Sequence, residues 1–262
     1  MIKLIATDMD GTWLRPDKSY DYALFKRIFE LMQERNIKFV VASSNQYENL
    51  RQRFPEVADQ IYYIAENGGL IAAGDKILQT KTLTSAETVE ADRVVEKYDY
   101  PLIWCGVKSA YILRREGPAY YQEMKQFFEN LTAVEQFDLK NDRFFKTSLI
   151  LDDGRAADFC PEIAAACPNL EVVCGSTYSI DISPLGMNKV RGLEYFNEQF
   201  GIDPAEMVAF GDSGNDVKML QYAGIGYATG TAMDEAKEAA DEVSGSSSES
   251  AVQKQILALL EN

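Results

Sequence analysis

The sequence predicts an α/β fold, a doubly wound parallel sheet interrupted by an inserted α+β segment, and three observations carry that reading. Short apolar, β-branched runs alternate with amphipathic helical stretches over the first 65 residues, the same alternation resumes after Pro184-Leu185-Gly186, and between about Gln79 and Pro184 the rhythm breaks. Strands that are nearly continuous apolar runs belong to parallel sheets covered on both faces, and less regular order marks α+β packing. The core is therefore expected in two pieces, 1–80 and 185–262, with the insert at 81–184.

Each element follows from its residues. Lys3 to Thr7 reads as the first strand, Tyr22 to Arg35 as a helix, Ile37 to Ala42 as a strand, Gln46 to Phe54 as a helix and Ile61 to Ala65 as a third strand. In the first helix Leu24, Ile28, Leu31 and Arg35 fall on one line at helical spacing, with Phe25, Phe29 and Met32 beside it, and Asn36 marks the stop. In the insert, Thr84-Ser85-Ala86-Glu87 has the spacing of a capping box and opens a helix to about Tyr98. Pro118 opens another to about Leu131. Phe144 to Leu151 is a strand ended by the turn Asp152-Asp153-Gly154, and Leu170 to Cys174 and Tyr178 to Ile182 are two more. The resumed core reads as helix Asn188 to Phe200, strand Met207 to Phe210, helix Asn215 to Ala223, strand Ile225 to Ala228, a helix from about Ala232 and a last one ending near Leu260. The serine-rich stretch Ser244 to Ser250 is expected to be a mobile loop.

The 262 residues hold 41 acidic and 26 basic side chains, a formal net charge of −15, with 46% apolar residues and no histidine. The apolar content supports a folded core. Without histidine there is no imidazole catalyst, no Ser-His-Asp triad and no histidine metal site, so chemistry has to run on carboxylates, Lys, Ser/Thr, Tyr or Cys. Nucleic acid is not expected as a partner, because polyanion binding is driven by clustered Lys and Arg and no basic cluster is present. The first ten residues reach an acidic pair too soon for a signal peptide, and no apolar run approaches the ~18 residues of a membrane helix, so a cytoplasmic protein without membrane contact is expected. Cys105, Cys160, Cys167 and Cys174 make no CxxC pair and sit in apolar contexts, which predicts buried free thiols.

Two acidic clusters carry the chemistry. Asp8-Met9-Asp10-Gly11-Thr12 stands at the end of the first strand, where residues two apart share a face and Gly11 permits a sharp exit. Gly211-Asp212-Ser213-Gly214-Asn215-Asp216 follows another apolar strand and opens a helix. Taken singly, the first is a strand-to-loop turn and the second an Asx-type helix cap. Together they place four carboxylates at one sheet edge, where the crevice of a doubly wound sheet lies. Their repulsion calls for a hard divalent cation, and Mg2+ suits a site of one or two carboxylates, water and substrate phosphate. Ser43-Ser44-Asn45 ends the second strand with hydroxyls and helix-start amides at that edge, and Lys189, beside Asn188, can set a positive charge against a phosphate. Alone the serines would be an N-cap and Lys189 a solvated surface charge, and only their positions raise them above that.

These motifs, in this order, resemble the haloacid dehalogenase superfamily of phosphotransferases, in its Cof-like branch with a large class IIB cap inserted after the third strand of a Rossmann-like core, and the likeness spans the chain. Asp8 to Thr12 is similar to the first family motif, Ser43 to the second, Lys189 to the third and Gly211 to Asp216 to the fourth, and Glu66-Asn67-Gly68-Gly69 looks like the ENG element of the branch. Val40 to Tyr47 is most similar to sugar phosphatases of the group, with Ser44-Asn45 where many relatives have Gly-Arg. The resemblance implies a Mg2+-dependent phosphomonoesterase acting on small phosphorylated metabolites, sugar phosphates above all. It implies that Asp8 attacks phosphorus and becomes an aspartyl phosphate, and that Asp10, its pKa raised by acidic neighbours, serves as acid and base. Asp8, the Asp10 backbone carbonyl and Asp212 would hold the metal, with Asn215 and Asp216 orienting the shell. Ser43 and Lys189 would hold the phosphoryl oxygens, with Met9, Ser44 and Asn188 at the same phosphate site. The insert would close over the crevice and contact the leaving group, with Tyr111, Arg114, Arg115 and Tyr178 as candidate contacts. A phosphomutase of similar architecture and, more distantly, a non-enzymatic phospho-acceptor module are the rival readings. The sequence carries no signal for oligomeric state.

Overall fold

The computed structural model describes residues 1–261, the side chains of 175 and 176 excepted. The chain divides into two compact units, Met1–Gln79 with Asn188–Asn262, and Thr80–Met187. It begins with β1 (Leu4–Thr7), α1 (Tyr22–Glu34), β2 (Lys38–Ala42), α2 (Tyr47–Gln52), β3 (Tyr62–Ala65), β4 (Leu70–Ala73) and β5 (Lys76–Thr80). The second unit holds α3 (Ser85–Val95), β6 (Leu102–Gly106), β7 (Ala110–Leu113), α4 (Gly117–Met124), β8 (Leu131–Val134), β9 (Phe144–Ile150), α5 (Ala156–Ala166), β10 (Leu170–Ser176) and β11 (Ser179–Pro184). The chain then returns through α6 (Val190–Phe200), β12 (Met207–Gly211), α7 (Val217–Tyr222), β13 (Ile225–Ala228), α8 (Asp234–Ala239), β14 (Glu242–Val243) and α9 (Ala251–Glu261).

The first unit is the α/β fold that the alternation predicts. Its sheet runs β14-β13-β12-β1-β2-β3-β4-β5, parallel from β14 to β3, with β4 antiparallel on β3. Strand β1 is central. Its Thr7 is level with Phe210 of β12 on one side and Val41 of β2 on the other, so the carboxyl ends of these three strands share one edge. All four residues of β1 and all five of β12 are buried, which is why they read as unbroken apolar runs. One face packs Leu4, Ala6, Val40 and Ala42 against Leu193 and Phe196 of α6. Elsewhere Trp13 is ringed by Phe25, Phe39 and Phe54, an aromatic cluster that anchors α1. Helix α1 starts where the Asp21 carboxylate accepts the Leu24 N–H, buries Phe25, Ile28, Phe29 and Met32, and stops before Asn36, whose φ of 55° ends the helix as expected.

The second unit carries a sheet in the order β10-β11-β9-β6-β7-β8, antiparallel except for β7 with β8. Its apolar layer includes Trp104, Leu149, Ile163 and Ile180. The capping box of α3 forms as read: Glu87 N–H donates to Thr84 Oγ1 at 3.2 Å and Thr84 N–H to Glu87 Oε2 at 2.7 Å.

Several expectations are corrected. The helix opened by Pro118 ends at Met124, and Leu131-Thr132-Ala133-Val134 forms β8 instead, its Leu131 drawn into an apolar cluster with Ile103 and Ile112. The serine-rich stretch folds into a capped turn: Ser246 Oγ accepts the Ser248 N–H, Ser247 and Ser250 are buried, and Arg15 donates to Ser250 Oγ at 2.7 Å. Of the cysteines, Cys105 and Cys167 are buried, Cys160 is half-buried and Cys174 is exposed, and none of the four is in a disulfide. Among the described residues no helix is long and apolar enough to cross a membrane.

Candidate active site

Asp8 is the first residue past β1, Ser43 the first past β2 and Asp212 the first past β12, so the level registers bring all three to the carboxyl edge of the sheet. Lys189 enters from the turn before α6. Its side chain is wholly buried, and Nζ donates to Asp8 Oδ1 and Asp216 Oδ1 at 2.6 Å each, with Asn215 Oδ1 at 3.4 Å. Asp216 Oδ2 accepts the backbone N–H groups of Asp212 at 3.0 Å and Ser213 at 3.1 Å, which closes the loop between β12 and α7. Thr12 Oγ1 donates to Asp212 Oδ1 at 2.6 Å.

Asp8, Asp212 and Asp216 each place a carboxylate oxygen within 4.8 Å of the others. Three ionised carboxylates against one ammonium leave two negative charges uncompensated in a buried space. The protein responds by resisting ionisation. Burial, countered by Lys189 but reinforced by Asp216 and Asp212, pushes the Asp8 pKa well up, and burial also raises Asp212. Asp8 and Asp212 lie close enough that the charge of Asp212 adds to the rise at Asp8. Lys189 stays charged, because Asp216 and Asp8 outweigh the burial that would lower its pKa. A divalent cation would supply both missing charges at once, and a set of carboxylate oxygens without nitrogen or sulfur suits a hard ion. Asp8 and Asp212 are the ligands such an ion would take first, since both oxygens of Asp216 are already engaged.

The close packing of this edge explains Gly11. Its φ is +88°, and a Cβ there would lie 2.4 Å from Asp212 Oδ2. Gly68, with φ +90°, is similarly forced, since a Cβ would meet the Asn188 carbonyl oxygen at 2.2 Å.

The carboxylate oxygens that converge within 4.8 Å are those of Asp8, Asp212 and Asp216, and Asp10 is held by other partners. Its Oδ1 accepts from Lys18 Nζ at 2.6 Å and its Oδ2 from Asn45 Nδ2 at 2.9 Å. The expected rise in its pKa is corrected. Partial burial pushes it up, but the hydrogen bonds from Lys18 and Asn45 and the charges of Lys18 and Arg53 together hold it below the usual carboxylate value. These contacts engage the carboxylate and leave the Asp10 backbone carbonyl, the group expected as a metal ligand, outside them.

Ser43 is buried and its Oγ accepts the Asn45 N–H at 3.1 Å. The Met9 side chain is sealed in the core, so only its backbone could meet a phosphate, and Ser44 is half-buried between β2 and α2. Helix α2 has six residues, shorter than expected. Asn188 Oδ1 accepts the Val190 N–H at 3.1 Å, a capping contact at the start of α6. Asn215 donates to Asn67 Oδ1 at 3.0 Å. The Glu66-Asn67-Gly68 turn, left-handed at all three residues, grips the loop after β2: Asn67 N–H donates to the Ser43 carbonyl and Glu66 N–H to the Asn45 carbonyl. Sequence reasoning assigned no role to Thr12, Lys18, Asn45 or Asn67. Thr12, Asn45 and Asn67 lie inside the motifs and carry a readable signal there, whereas Lys18 lies in none. In the second unit, Tyr111 donates to Asp142, Arg114 pairs with Glu135 and Arg115 with Glu116.

The sequence profile of the haloacid dehalogenase-like hydrolases matches residues 5–256. YbjI, a 5-amino-6-(5-phospho-D-ribitylamino)uracil phosphatase of Escherichia coli (strain K12), is 36% identical over 229 residues, 87% of this chain and 84% of that protein. The crystal structure of SMU.1108c from Streptococcus mutans UA159 matches with a TM-score of 0.92 at 32% identity over 100% of both chains. The subclass IIB sugar phosphatase BT4131 has the same fold, with a TM-score of 0.83 at 21% identity over 98% of both chains. The chain belongs to the haloacid dehalogenase-like hydrolase family, in its Cof-like branch. Within that family it is a phosphoric monoester hydrolase.

Proposed function

We propose that this hydrolase removes the phosphate from sugar phosphates, or from small metabolites carrying a phosphorylated sugar-derived chain, through an aspartyl phosphate on Asp8 and with Mg2+ in the aspartate cluster. The observation that carries the reading is Asp8 held by the buried Lys189 ammonium beside Asp212, a carboxylate nucleophile in a pocket short of positive charge. The ribityl phosphate in the name of the Escherichia coli relative supports the substrate class.

Lys189 fixes Asp8 by Oδ1, which leaves the other oxygen to attack phosphorus in line with the leaving group. The acyl phosphate so formed splits one hard displacement into two easier ones. Ser43 Oγ accepts a backbone N–H and has its own O–H left to donate to a phosphoryl oxygen. Lys189 faces the same charge, which spreads over the equatorial oxygens in a loose transition state. The Met9 backbone N–H and the Ser44 hydroxyl add donors to this cradle, and Asn188 holds the start of α6 that presents Lys189. Asp10 gives a proton to the departing alkoxide and takes one from the water that cleaves the acyl phosphate. Its low pKa suits the second task, and the negative charge of an arriving phosphate favours the protonated form needed for the first. Bound by Asp8, Asp212 and the Asp10 carbonyl, Mg2+ would offset the repulsion between carboxylate and phosphate and polarise a phosphoryl oxygen. Asn215 and Asp216 orient this set through Lys189 and the loop amides. We assign substrate selection to the second unit, and a substrate drawn from small phosphorylated metabolites supports a cytoplasmic enzyme.

The test is phosphate release from a panel of phosphorylated metabolites, with Mg2+ and with EDTA. Release that needs Mg2+ and is fastest on sugar or ribityl phosphates is expected. Undiminished release in EDTA overturns the metal assignment, and activity confined to esters without a sugar-derived chain overturns the substrate class.

A further inference from the structure

Both oxygens of Asp10 are held from outside the three-aspartate cluster, by side chains from two separate segments. Asn45 lies in the loop after β2 and is fixed on both sides of its backbone, its N–H on Ser43 Oγ at 3.1 Å and its carbonyl accepting from Glu66 N–H at 3.2 Å. Lys18 lies in a tight turn after β1. There Arg15 N–H donates to the Ser19 carbonyl at 2.8 Å, Lys18 N–H to the Arg15 carbonyl at 2.9 Å, and Asp17 Oδ1 accepts both the N–H and the hydroxyl of Ser19. Lys18 itself has φ 65°, a left-handed conformation that a lysine adopts at a cost and a glycine would adopt freely.

Stability does not account for this arrangement. The side chains of Lys18 and Asp10 are 54% and 43% exposed, and ion pairs of that exposure add little to a fold. A strained turn that spends its lysine on one carboxylate oxygen, while an independently anchored amide takes the other, is a device for fixing the rotation of that carboxylate.

We propose that Lys18 and Asn45 are the positioning residues of Asp10, and that they aim its carboxyl group for proton transfer to the ester oxygen as the phosphorus–oxygen bond breaks. The inference rests on the phosphatase reading above, in which Asp10 is acid and base.

A misaimed acid matters most when the leaving group most needs a proton. A sugar alkoxide needs one; p-nitrophenolate is stable as an anion and leaves without it. The measurement is kcat/KM, which reports the steps through departure of the leaving group, for a sugar phosphate and for p-nitrophenyl phosphate. Lys18→Ala and Asn45→Ala are expected to lower it about tenfold or more on the sugar phosphate and less than about threefold on p-nitrophenyl phosphate, part of the ~10²–10⁴ that a general acid supplies. Lys18→Arg, which keeps a charged donor, is expected to recover most of the loss. Equal losses on the two esters, no loss on the sugar phosphate, or a Lys18→Arg variant as impaired as Lys18→Ala overturns the proposal. A wild-type enzyme that releases phosphate from neither ester is a different failure, overturning the phosphatase reading and this inference with it.

Discussion

Asp8 has its pKa pushed well up because burial disfavours its ionised form more than Lys189 favours it, with Asp216 and Asp212 adding repulsion. An acid whose folded pKa lies above its unfolded value costs the fold stability at high pH, and the cost fades as pH falls through the folded pKa. Asp8→Asn cannot ionise. In EDTA at neutral pH it is therefore expected to melt above the wild type, by about 2–4 °C for each kcal/mol relieved in a chain of this size. The gap should narrow as the pH is lowered, and turnover should be lost at every pH. A variant that melts below the wild type in EDTA would show that Lys189 needs Asp8 more than burial penalises it. Asp10→Asn should instead separate the two halves of the reaction. With p-nitrophenyl phosphate it is expected to give a burst of phenolate and an acid-stable phosphoprotein, because the second step lacks its base and slows by ~10²–10⁴. Steady turnover without a burst would count against the assigned role.

At the level of elements, the strand ends matter more than the strands. Gly11 turns the chain off β1 at φ +88° with no room for a Cβ beside Asp212 Oδ2. Gly11→Ala is expected to displace that carboxylate, weakening Mg2+ and lowering kcat about tenfold or more, since a misplaced group of ~1 Å costs ~10² in rate; unchanged Mg2+ dependence of kcat would refute this. The same strand ends were the legible part of the sequence. β1, β2 and β12 are buried on both faces and so leave apolar runs, and the acids that follow them stand out against those runs. What was hidden depends on turns. Lys18 reaches Asp10 only because a left-handed residue redirects the chain, and nothing in Pro16-Asp17-Lys18-Ser19 announces that. Helix α5 was missed because Pro161 lies inside it and reads as a breaker; burial of Ala156 and Ile163 holds the helix despite the lost N–H. Strands β7 and β8 have four residues each, too few for a periodic signal.

For the whole molecule, three of the 41 acidic side chains, Asp8, Asp212 and Asp216, gather in one cluster among the described residues. A metal that binds the folded state alone raises stability by mass action, ~2.7 kcal/mol at a hundred times its Kd. Millimolar Mg2+ is accordingly expected to raise the melting temperature of the wild type by several degrees, and Asp212→Asn should abolish most of that shift. A variant that keeps the full shift would remove Asp212 from the metal site.

The pairing of β1 with β12 joins Leu4 to Met207, residues about two hundred positions apart, and this has a consequence for how the enzyme comes into being. Contacts of such long sequence separation form late and slowly, because a large loop has to close before they are rewarded. A nascent chain that has emerged only as far as α6 already carries Asp8, Asp10, Ser43 and Lys189 but has neither Asp212 nor Asp216. On the proposed mechanism, phosphate chemistry would begin only when synthesis has passed β12 and the sheet has closed around its central strand, because an incomplete chain carries Asp8 and Lys189 without Asp212.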